Sequence, residues 1–285
     1  MAEAAPRLSI VIVTYNSASQ IDACLGSLSA HPPSVDHETL IVDNASPDDT
    51  AAAVRQRWPG VPVIDAGGNV GFASASNMGI RQTVGELVLL LNPDTVVPGG
   101  AIDTLVASLD ARPDAAAVGP RLVDATGRAE LSFGAMIGPL AELRQKLLVN
   151  GNDRGAPLVG AYVDRMTRRA REVDWLSGAC LLVRRADAEA VGLIDERYFM
   201  YAEDADFCAA LRLRGRKVLF TPDAQVVHLR GRSVASMPRA TEMAYRRSQL
   251  AFYAKHHPGW VPLLRAYLKL RGRLPDTRID PPGPK

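Results

Sequence analysis

The sequence has 285 residues, enough to bury the core of one large domain, with or without an appended segment. Its 33 basic and 31 acidic residues leave a net charge of +2, so no global field points to nucleic acid as a partner. The three cysteines, Cys24, Cys180 and Cys208, lie far apart in apolar surroundings, which favours reduced thiols and a reducing compartment such as the cytoplasm over a disulfide framework.

The first third of the chain predicts strands that alternate with helices. We expect strands at 8–14, 39–42, 61–65 and 86–91, with a helix after each of the first three. Ser46 followed by Pro47 favours a helix that starts there and runs to about Trp58. Because the aliphatic run 87–91 does not alternate, its strand should be covered on both faces, as in a mostly parallel α/β sheet.

Polar groups follow three of these strands, at Thr14-Tyr15-Asn16, Asp43-Asn44 and Asn92-Pro93-Asp94. Ligands of open α/β sheets bind outside the carboxyl ends of the strands, so a nucleotide is expected at this edge. The Asp43 carboxylate can accept a hydrogen bond from the N3–H of a pyrimidine, and the glycines around Asn69 permit a close approach to ribose or phosphate. Ordinary turns and a helix cap explain the same residues equally well.

Two common nucleotide-binding signatures are absent from the sequence. No G-x-G-x-x-G follows the first strand, and no G-x-x-x-x-G-K-[ST] occurs anywhere. Dinucleotide redox chemistry and P-loop hydrolysis are therefore disfavoured.

The middle of the chain continues the α/β pattern and then interrupts it. We expect a helix at 99–111, a strand at 115–123 and a hairpin turn at 124–128. The segment 133–172 differs, with helical patches, a loop at 151–155 and a cationic run at 165–171. It is either a mobile flap on the acceptor side of a site or a solvated basic helix face.

Candidate site residues return after this insertion. Trp175, beside Gly178, suits stacking on a sugar or burial in the core. Glu203 and Asp204 begin a helix that runs to Arg214. The helix dipole at its start favours ionised carboxylates, which fits either a purely structural role or a general base that is kept deprotonated. His228 lies at the end of a short strand, and Asp94 lies just after the end of another. A lone histidine is either a metal ligand or a hydrogen-bonded core residue.

The tail from 241 onward predicts helices with an apolar stripe and, on the opposite face, Arg265 and Lys269. The stripe fits either an anionic membrane surface or packing against the same chain or a second subunit. We find no secretion signal and no apolar run of the roughly 18 residues that span a bilayer, and the proline-rich segment 274–285 predicts disorder. The stripe consists of Trp260, Leu263, Leu264, Tyr267 and Leu268.

Taken together, these motifs resemble the family 2 glycosyltransferases over most of residues 8–230. The resemblance implies the A-type fold, a single Rossmann-like and mostly parallel sheet with flanking helices, here with a catalytic domain at 1–235 and a C-terminal helical segment at 236–273. The details resemble the rhamnosyltransferase branch, which uses dTDP-L-rhamnose and includes enzymes that act on lipid-linked GlcNAc. The motifs are Ile-Val-Thr-Tyr-Asn (12–16), Val-Asp-Asn-Ala-Ser (42–46), Asn-Val-Gly-Phe-Ala (69–73) with Asn77-Met78-Gly79, Leu-Asn-Pro-Asp (91–94), Trp-Leu-Ser-Gly-Ala (175–179), Tyr-Ala-Glu-Asp-Ala-Asp (201–206) and Val-His (227–228).

The resemblance also implies roles for individual residues. Asp204 would be the catalytic base, with Glu203 as runner-up, and Asp94 with His228 would bind Mg2+ or Mn2+. Trp175 and Gly178 would line the acceptor site. Many relatives carry Asp-x-Asp where this chain has Asn92, which makes the donor diphosphate a required co-ligand of the metal. The nucleotide-sugar would be met by Thr14, Tyr15, Asn16, Asp43 (on the pyrimidine), Asn69, Gly71, Phe72, Asn77, Asn92 and Asp94.

The implied activity is metal-dependent, inverting transfer of a sugar to a saccharide or polyprenyl-diphosphate-linked acceptor, without nucleic acid. The resemblance implies a cytoplasmic enzyme, and peripheral contact with the inner face of the membrane and a homodimer both stay open. Two alternatives remain: a family 2 enzyme with a UDP-hexose donor, and a non-catalytic carbohydrate- or nucleotide-binding module on the same fold. Retention of the Glu203-Asp204 pair and His228 argues against the module.

Overall fold

The computed structural model describes residues 5–229 and 238–275. Its strands are β1 (Leu8–Thr14), β2 (His37–Asp43), β3 (Val63–Asp65), β4 (Leu87–Leu91), β5 (Thr95–Val96), β6 (Ala115–Val123), β7 (Phe133–Gly134), β8 (Arg171–Glu172), β9 (Trp175–Leu176), β10 (Cys180–Arg184) and β11 (Lys217–His228). Its α-helices are α1 (Ile21–Ala30), α2 (Thr50–Arg57), α3 (Phe72–Arg81), α4 (Ala101–Asp110), α5 (Pro139–Asp153), α6 (Pro157–Met166), α7 (Arg185–Ala190), α8 (Glu203–Leu213), α9 (Pro238–His256) and α10 (Val261–Leu270).

One large sheet organises the described residues, in the order β3-β2-β1-β4-β10-β6-β11-β5, with β8 added beside β11. Strands β3, β2, β1, β4, β6 and β11 run parallel, whereas β10, β5 and β8 run antiparallel to their neighbours. The prediction of a mostly parallel α/β sheet is therefore confirmed. A small second sheet pairs β7 with β9.

The core lies on both faces of this sheet. Ile10 and Ile12 of β1 point to one face, where α1 and α4 pack, and Val11 and Val13 point to the other, where α3 and α8 pack. All five residues of β4 are buried, because that strand sits between β1 and β10 in the middle of the sheet. This position explains the aliphatic run without alternation that the sequence shows.

Some element boundaries differ from the sequence prediction. Helix α2 begins at Thr50 rather than at Ser46, because the Ser46 hydroxyl and N–H both bond the carboxylate of Asp43 and form a turn there. The strand that ends at His228 is longer than the short strand expected: β11 runs from Lys217 to His228, with an irregularity between Thr221 and Gln225. The 133–172 segment contains the helix pair α5 and α6, and α5 includes most of the predicted loop at 151–155.

The C-terminal helices pack onto the body through α9. Phe252 and Tyr253 of α9 are buried against Tyr198 and Ala205, which flank the start of α8. None of the helices in the described ranges combines the length and the apolar character that crossing a bilayer demands. The predicted disorder at 274–285 falls mostly on 276–285, which lie outside the described residues.

Candidate active site

The carboxyl ends of the parallel strands bring the predicted residues to one edge of the sheet. Thr14 is in register with Asp43, and Leu91, which precedes Asn92, is in register with Ile12. Strand β10 starts at this edge because Cys180 pairs with Leu91 in antiparallel register. The C-terminal end of β11 reaches the same edge, because β11 runs parallel to β6.

Asp94 and His228 meet at this edge. Strand β5 pairs with β11 so that Thr95 lies opposite His228, and the N–H of Leu229 donates to the carbonyl of Asp94 across 2.8 Å. The Nε2 atom of His228 lies 3.4 Å from Oδ1 of Asp94, and its Nδ1 lies 3.1 Å from Oε2 of Glu130. Burial alone would lower the pKa of His228, but its hydrogen bonds to Asp94 and Glu130 outweigh burial and raise the pKa to about 9.

Asp204 is tied to the same edge through β10. The N–H of Gly178 donates to Oδ2 of Asp204 across 3.2 Å, and the N–H of Ala205 donates to Oδ1 across 2.7 Å. The N–H of Asn92 bonds the carbonyl of Ala179, the next residue after Gly178, across 2.9 Å. Three hydrogen-bonded or covalent steps therefore connect the Asn92-Pro93-Asp94 turn to the carboxylate of Asp204.

Glu203 and Asp204 form a close acidic pair in the first turn of α8. Glu203 is buried and Asp204 is partly exposed. Burial raises the pKa of both carboxyls, and the neighbouring Asp204 raises that of Glu203 further. Tyr201 and Ala202, which precede them, both have a positive φ, 71° and 67°. Left-handed backbone at two successive non-glycine residues is costly and is concentrated at functional sites.

Asp43 is held in a local turn. Its Oδ1 accepts the hydroxyls of Thr14, at 2.9 Å, and Ser46, at 2.6 Å, while its Oδ2 accepts the N–H of Ser46 at 3.0 Å. The backbone N–H of Asn16, whose φ is 54°, bonds the Ser46 hydroxyl, which links the ends of β1 and β2. Tyr15 lies beside them, half-buried. These bonds are those of a turn, and contact of Asp43 with a pyrimidine stays a prediction.

Asn44 organises the loop that precedes α3. Its Nδ2 donates to Oδ1 of Asn69 across 2.9 Å, and its Oδ1 accepts the N–H of Val70 across 2.8 Å. Oδ1 of Asn69 also accepts the N–H of Gly71 at 3.3 Å. The loop is therefore preformed by side-chain amides, and its half-buried Phe72 lies near Gly178, where an added Cβ would stand 3.4 Å from the Phe72 ring.

Asn77 has a different place from the one expected. Its side chain is fully buried, donates to the carbonyl of Ile194 at 2.7 Å and to Glu196 at 2.9 Å, and accepts the N–H of Ile194 at 3.1 Å. The amide thus anchors the 194–196 segment to α3. Contact of this side chain with a donor stays a prediction that these bonds disfavour.

Trp175 lines a mostly apolar cavity of about 180 Å³ next to the acidic pair. Its Nε1 donates to the carbonyl of Ala135 across 3.0 Å, which fixes the ring at the cavity wall. Ala202, the residue before Glu203, lines the same cavity, as do Phe252 of α9 and Ala141 of α5. Trp175 therefore belongs both to the core and to a cavity beside the candidate base.

The donor atoms suit a divalent cation only in part. Within the described ranges, no group of three or more His, Cys, Asp or Glu side chains is arranged to hold a metal ion. At the carboxyl edge of the sheet, Asp94 and His228 place a carboxylate oxygen and an imidazole nitrogen side by side, a pair that Mn2+ accepts and Mg2+ accepts less readily. This pair fits a cation whose remaining ligands come from a bound diphosphate and water.

Sequence reasoning missed Glu130 and the organising role of Asn44. Glu130 is 98 residues from His228 in sequence and follows the 124–128 turn, so no local pattern marks it. A histidine ligand whose second nitrogen bonds a carboxylate is a common arrangement at metal sites, and the search for such a partner is the signal that could have found it. Asn44 was visible as a polar residue after β2, but its partner Asn69 became evident only in three dimensions.

The sheet order and the acidic residues at its carboxyl edge define an A-type glycosyltransferase fold. The chain belongs to glycosyl transferase family 2, whose sequence model matches residues 9–189. It is 35% identical, over 94% of this chain and 92% of the relative, to the N-acetylglucosaminyl-diphospho-decaprenol L-rhamnosyltransferase of Mycobacterium tuberculosis. It is also 24% identical to rhamnosyltransferase WbbL of Escherichia coli, over 77% of this chain and 82% of that protein. The resemblance to the rhamnosyltransferase branch is thereby confirmed.

Solved structures confirm the fold. A mannosyltransferase from Pyrobaculum calidifontis, solved in complex with GDP-Man and Mn2+, superposes with a TM-score of 0.59 and 20% identity over 94% of this chain and 70% of that chain. TarS of S. aureus (residues 1–349) gives a TM-score of 0.55 with 16% identity, over 90% of this chain and 74% of that chain.

Proposed function

We propose that this chain is a metal-dependent, inverting rhamnosyltransferase that moves L-rhamnose from dTDP-L-rhamnose to a hydroxyl of a lipid-linked saccharide during assembly of a cell wall or surface polysaccharide. The likeness to the mycobacterial enzyme over 94% of the chain supports the sugar and the acceptor class. The observation that carries the proposal is the Gly178–Asp204 hydrogen bond, because it joins the acidic start of α8 to the strand that also bonds the Asn92-Pro93-Asp94 turn.

The donor would lie along the ends of β1, β2 and β4. Asp43 would accept the N3–H of the pyrimidine while its bonds to Thr14 and Ser46 keep it oriented. The 69–72 loop, held in shape by its own hydrogen bonds, would lie over the ribose and diphosphate. Asn92 offers a side-chain amide that no described residue bonds. The same Asp43 contact serves uracil as well as thymine, so the base does not select the donor.

Asp94 and His228 would hold the cation, and Glu130 would orient the His228 ring through Nδ1. When bound, a divalent cation supplies positive charge that offsets the charge developing on the departing diphosphate. Asp94 and His228 would thereby hold the donor diphosphate at the carboxyl edge of the sheet. Because the protein supplies few ligands to the cation, the nucleotide-sugar and the cation should bind together.

Asp204 would act as the general base. Its carboxylate is partly exposed, and the N–H groups of Gly178 and Ala205 keep it oriented. It would take the proton from an acceptor hydroxyl that attacks the anomeric carbon from the side opposite the diphosphate, which inverts the configuration. Glu203 is more deeply buried than Asp204, so we assign it to positioning.

The acceptor saccharide would enter at the Trp175 cavity. The indole offers an apolar face for a sugar ring, and Ala202 places this wall next to the acidic pair. Gly178 supplies a position without a side chain between Phe72 of the donor loop and Asp204, where an added Cβ would lie 3.7 Å from Cβ of Asp204. A small residue there leaves room for the reacting hydroxyl.

A donor panel tests the proposal. Thermal shift with dTDP-L-rhamnose, dTDP-glucose, UDP-glucose and UDP-GlcNAc, each with Mg2+ or Mn2+, should give the largest stabilisation with dTDP-L-rhamnose and a divalent cation. Product NMR should then show an inverted linkage. Preference for a UDP-hexose would show that the enzyme uses the alternative class of donor. If none of these donors were hydrolysed or used for transfer, the enzymatic proposal would be contradicted.

A further inference from the structure

The exposed apolar side chains of this protein are concentrated in two neighbouring regions. Of the twelve large hydrophobic residues that are exposed within the described ranges, eight belong to α5, α6 and the segment 260–270. On α5, Leu140, Leu143 and Leu147 are exposed by 83%, 57% and 65% and share one helix face. An unpartnered leucine stripe of this kind exceeds the scattered apolar residues of an ordinary surface.

The second stripe lies on α10 and the turn before it. Trp260, Leu263, Tyr267 and Leu270 are all at least half exposed and recur at i, i+3, i+7 and i+10, so they share one face. Leu268 is fully buried on another face of the same helix. Within the described residues, helix α10 therefore has one face that packs on the body and a separate apolar face whose side chains stay at least half exposed.

The two stripes start at a common junction. A hydrogen bond of 2.7 Å joins His257 Nε2, just before Trp260, to the carbonyl of Ile137, just before α5. The other side of α5 is fixed to α9, because Glu142 accepts Tyr245 at 2.9 Å and Tyr253 at 2.9 Å. The leucine stripe of α5 is thus held outward by bonds on its inner side.

Cations accompany both stripes. Arg144 lies four residues after Leu140, Arg154 lies seven after Leu147, and Arg271 lies four after Tyr267, spacings that place each on the side of its stripe. All three are exposed, and none forms an ion pair within the described residues. Residues 257–275 contain four basic residues, Arg265, Lys269, Arg271 and Arg273, and no acidic one.

We propose that these two stripes and their flanking arginines form a docking surface, the α5–α10 surface, for a bilayer that contains anionic lipid. The leucines, the indole of Trp260 and the phenol of Tyr267 suit the acyl-chain side of the bilayer interface, and the adjacent arginines suit its anionic headgroups. A second copy fits poorly, because a two-fold contact would bring the same cations together. Residues 276–285 include a single large apolar residue, Ile279, so that segment offers too little apolar surface to cover two stripes.

This surface gives α5 two roles. Its outer face would rest on the bilayer, while Ala141 and Gln145 on its inner side line the cavity that holds Trp175. The inference deepens the proposed function, because a lipid-linked acceptor would then reach the site from the membrane along a single helix. Binding of the bilayer itself does not depend on the identity of the donor.

Vesicle co-sedimentation of the full chain tests the proposal. The wild-type protein should sediment with vesicles of equal parts phosphatidylcholine and phosphatidylglycerol, weakly with phosphatidylcholine alone, and less as salt rises. The Leu263→Glu/Leu270→Glu variant and the Arg144→Gln/Arg154→Gln/Arg271→Gln variant should each lose about tenfold or more in partitioning. Leu213→Glu, an equally exposed leucine elsewhere on the surface, and Arg55→Gln should sediment like wild type.

Three results would overturn the proposal. The first is that the wild-type protein stays in the supernatant, and the second is that the variants bind vesicles as tightly as the wild type. The third is that the wild-type protein is a dimer, which Leu263→Glu/Leu270→Glu converts to a monomer without changing its sedimentation with vesicles. Circular dichroism and thermal unfolding should be unchanged, because the substituted side chains are exposed. Transfer to a water-soluble, short-chain acceptor should persist in the docking variants. If the wild-type protein did not transfer sugar to the short-chain acceptor, the proposed function would be contradicted, whereas the vesicle-binding result would still stand.

Discussion

The backbone N–H of Gly178 lies 3.2 Å from Oδ2 of Asp204 and donates a hydrogen bond to it. Gly178 lies two residues before β10, and the next residue, Ala179, bonds Asn92, so the candidate base and the Asn92-Pro93-Asp94 turn share one short stretch of backbone. The N-terminus of α8 adds the N–H of Ala205 to the same carboxylate. Asp204 is therefore oriented by backbone, which side-chain substitutions nearby cannot remove.

The first prediction concerns Asp204→Asn. The amide keeps the size of the carboxylate but cannot accept a proton from the acceptor, so turnover should fall by about 10²–10⁴. Donor affinity measured by calorimetry should change little, because the proposed role of Asp204 is toward the acceptor hydroxyl. Glu203→Gln is the matched control and should retain most of the turnover. Near-normal activity of Asp204→Asn together with loss of activity in Glu203→Gln would transfer the role of base to Glu203.

The second prediction concerns the pH dependence of stability. Burial and the neighbouring Asp204 raise the folded-state pKa of Glu203 well above its unfolded value. The protonated folded form is then favoured, so this group's stabilising contribution is complete below the unfolded pKa and is lost as pH rises through the folded pKa. In Glu203→Gln the free energy of unfolding should fall less steeply over that window. The free energy of unfolding can be measured by denaturant melts across this pH range. If its pH dependence in Glu203→Gln were identical to that of the wild type, Glu203 would not have a raised pKa in the folded state.

The third prediction concerns Glu130→Gln. The variant keeps the shape of the side chain but weakens its bond to Nδ1 of His228, at 3.1 Å in the native protein. If His228 is a metal ligand, the affinity for Mn2+ measured with donor present should fall by about 10–100-fold, with a smaller change in donor binding without metal. Glu172→Gln, an exposed carboxylate paired with Lys217 away from this edge, is the control. Unchanged Mn2+ affinity in Glu130→Gln would remove the positioning role.

Most of the fold follows from local patterns. The limits of β1, β4 and β6 agree with the sequence prediction to within a residue, because buried parallel strands leave long aliphatic runs bounded by polar residues. Strand β5 was missed, since its two residues are defined by pairing with β11 rather than by their own pattern. The helix pair α5 and α6 was only partly foreseen, because its stability comes from Glu142 and its partners on α9.

The candidate site was predictable to the extent that its residues end strands or begin helices. Asp94, Asp204 and His228 could be named in this way, and the sheet register brings them to one edge. The hydrogen-bond partners of Glu130 and Asn77 could not be foreseen, because each partner lies about a hundred residues away in sequence. Such contacts depend on tertiary packing, for which a single sequence carries no signal.

The last prediction concerns Gly71, which supports the donor loop. Its φ is 88°, and an added Cβ would stand 2.5 Å from the carbonyl oxygen of Phe199, the same oxygen that accepts the N–H of Phe72 at 2.7 Å. Gly71→Ala must therefore displace Phe199, which lies two residues before the strained Tyr201-Ala202 pair that leads into Glu203. The variant should lose thermal stability and also turnover, by more than about tenfold, because loop and acidic pair shift together.

Gly67→Ala is a control that separates the steric clash of an added Cβ from the strain of a positive φ. Gly67 also has a positive φ, 75°, but an added Cβ there would meet no atom within 4 Å. It should cost only about 1–2 kcal/mol of left-handed strain and leave turnover near that of the wild type. Equal losses of turnover in the two variants would show that loop strain alone matters. Full activity of Gly71→Ala would mean that the position of Phe199 does not control the acidic pair.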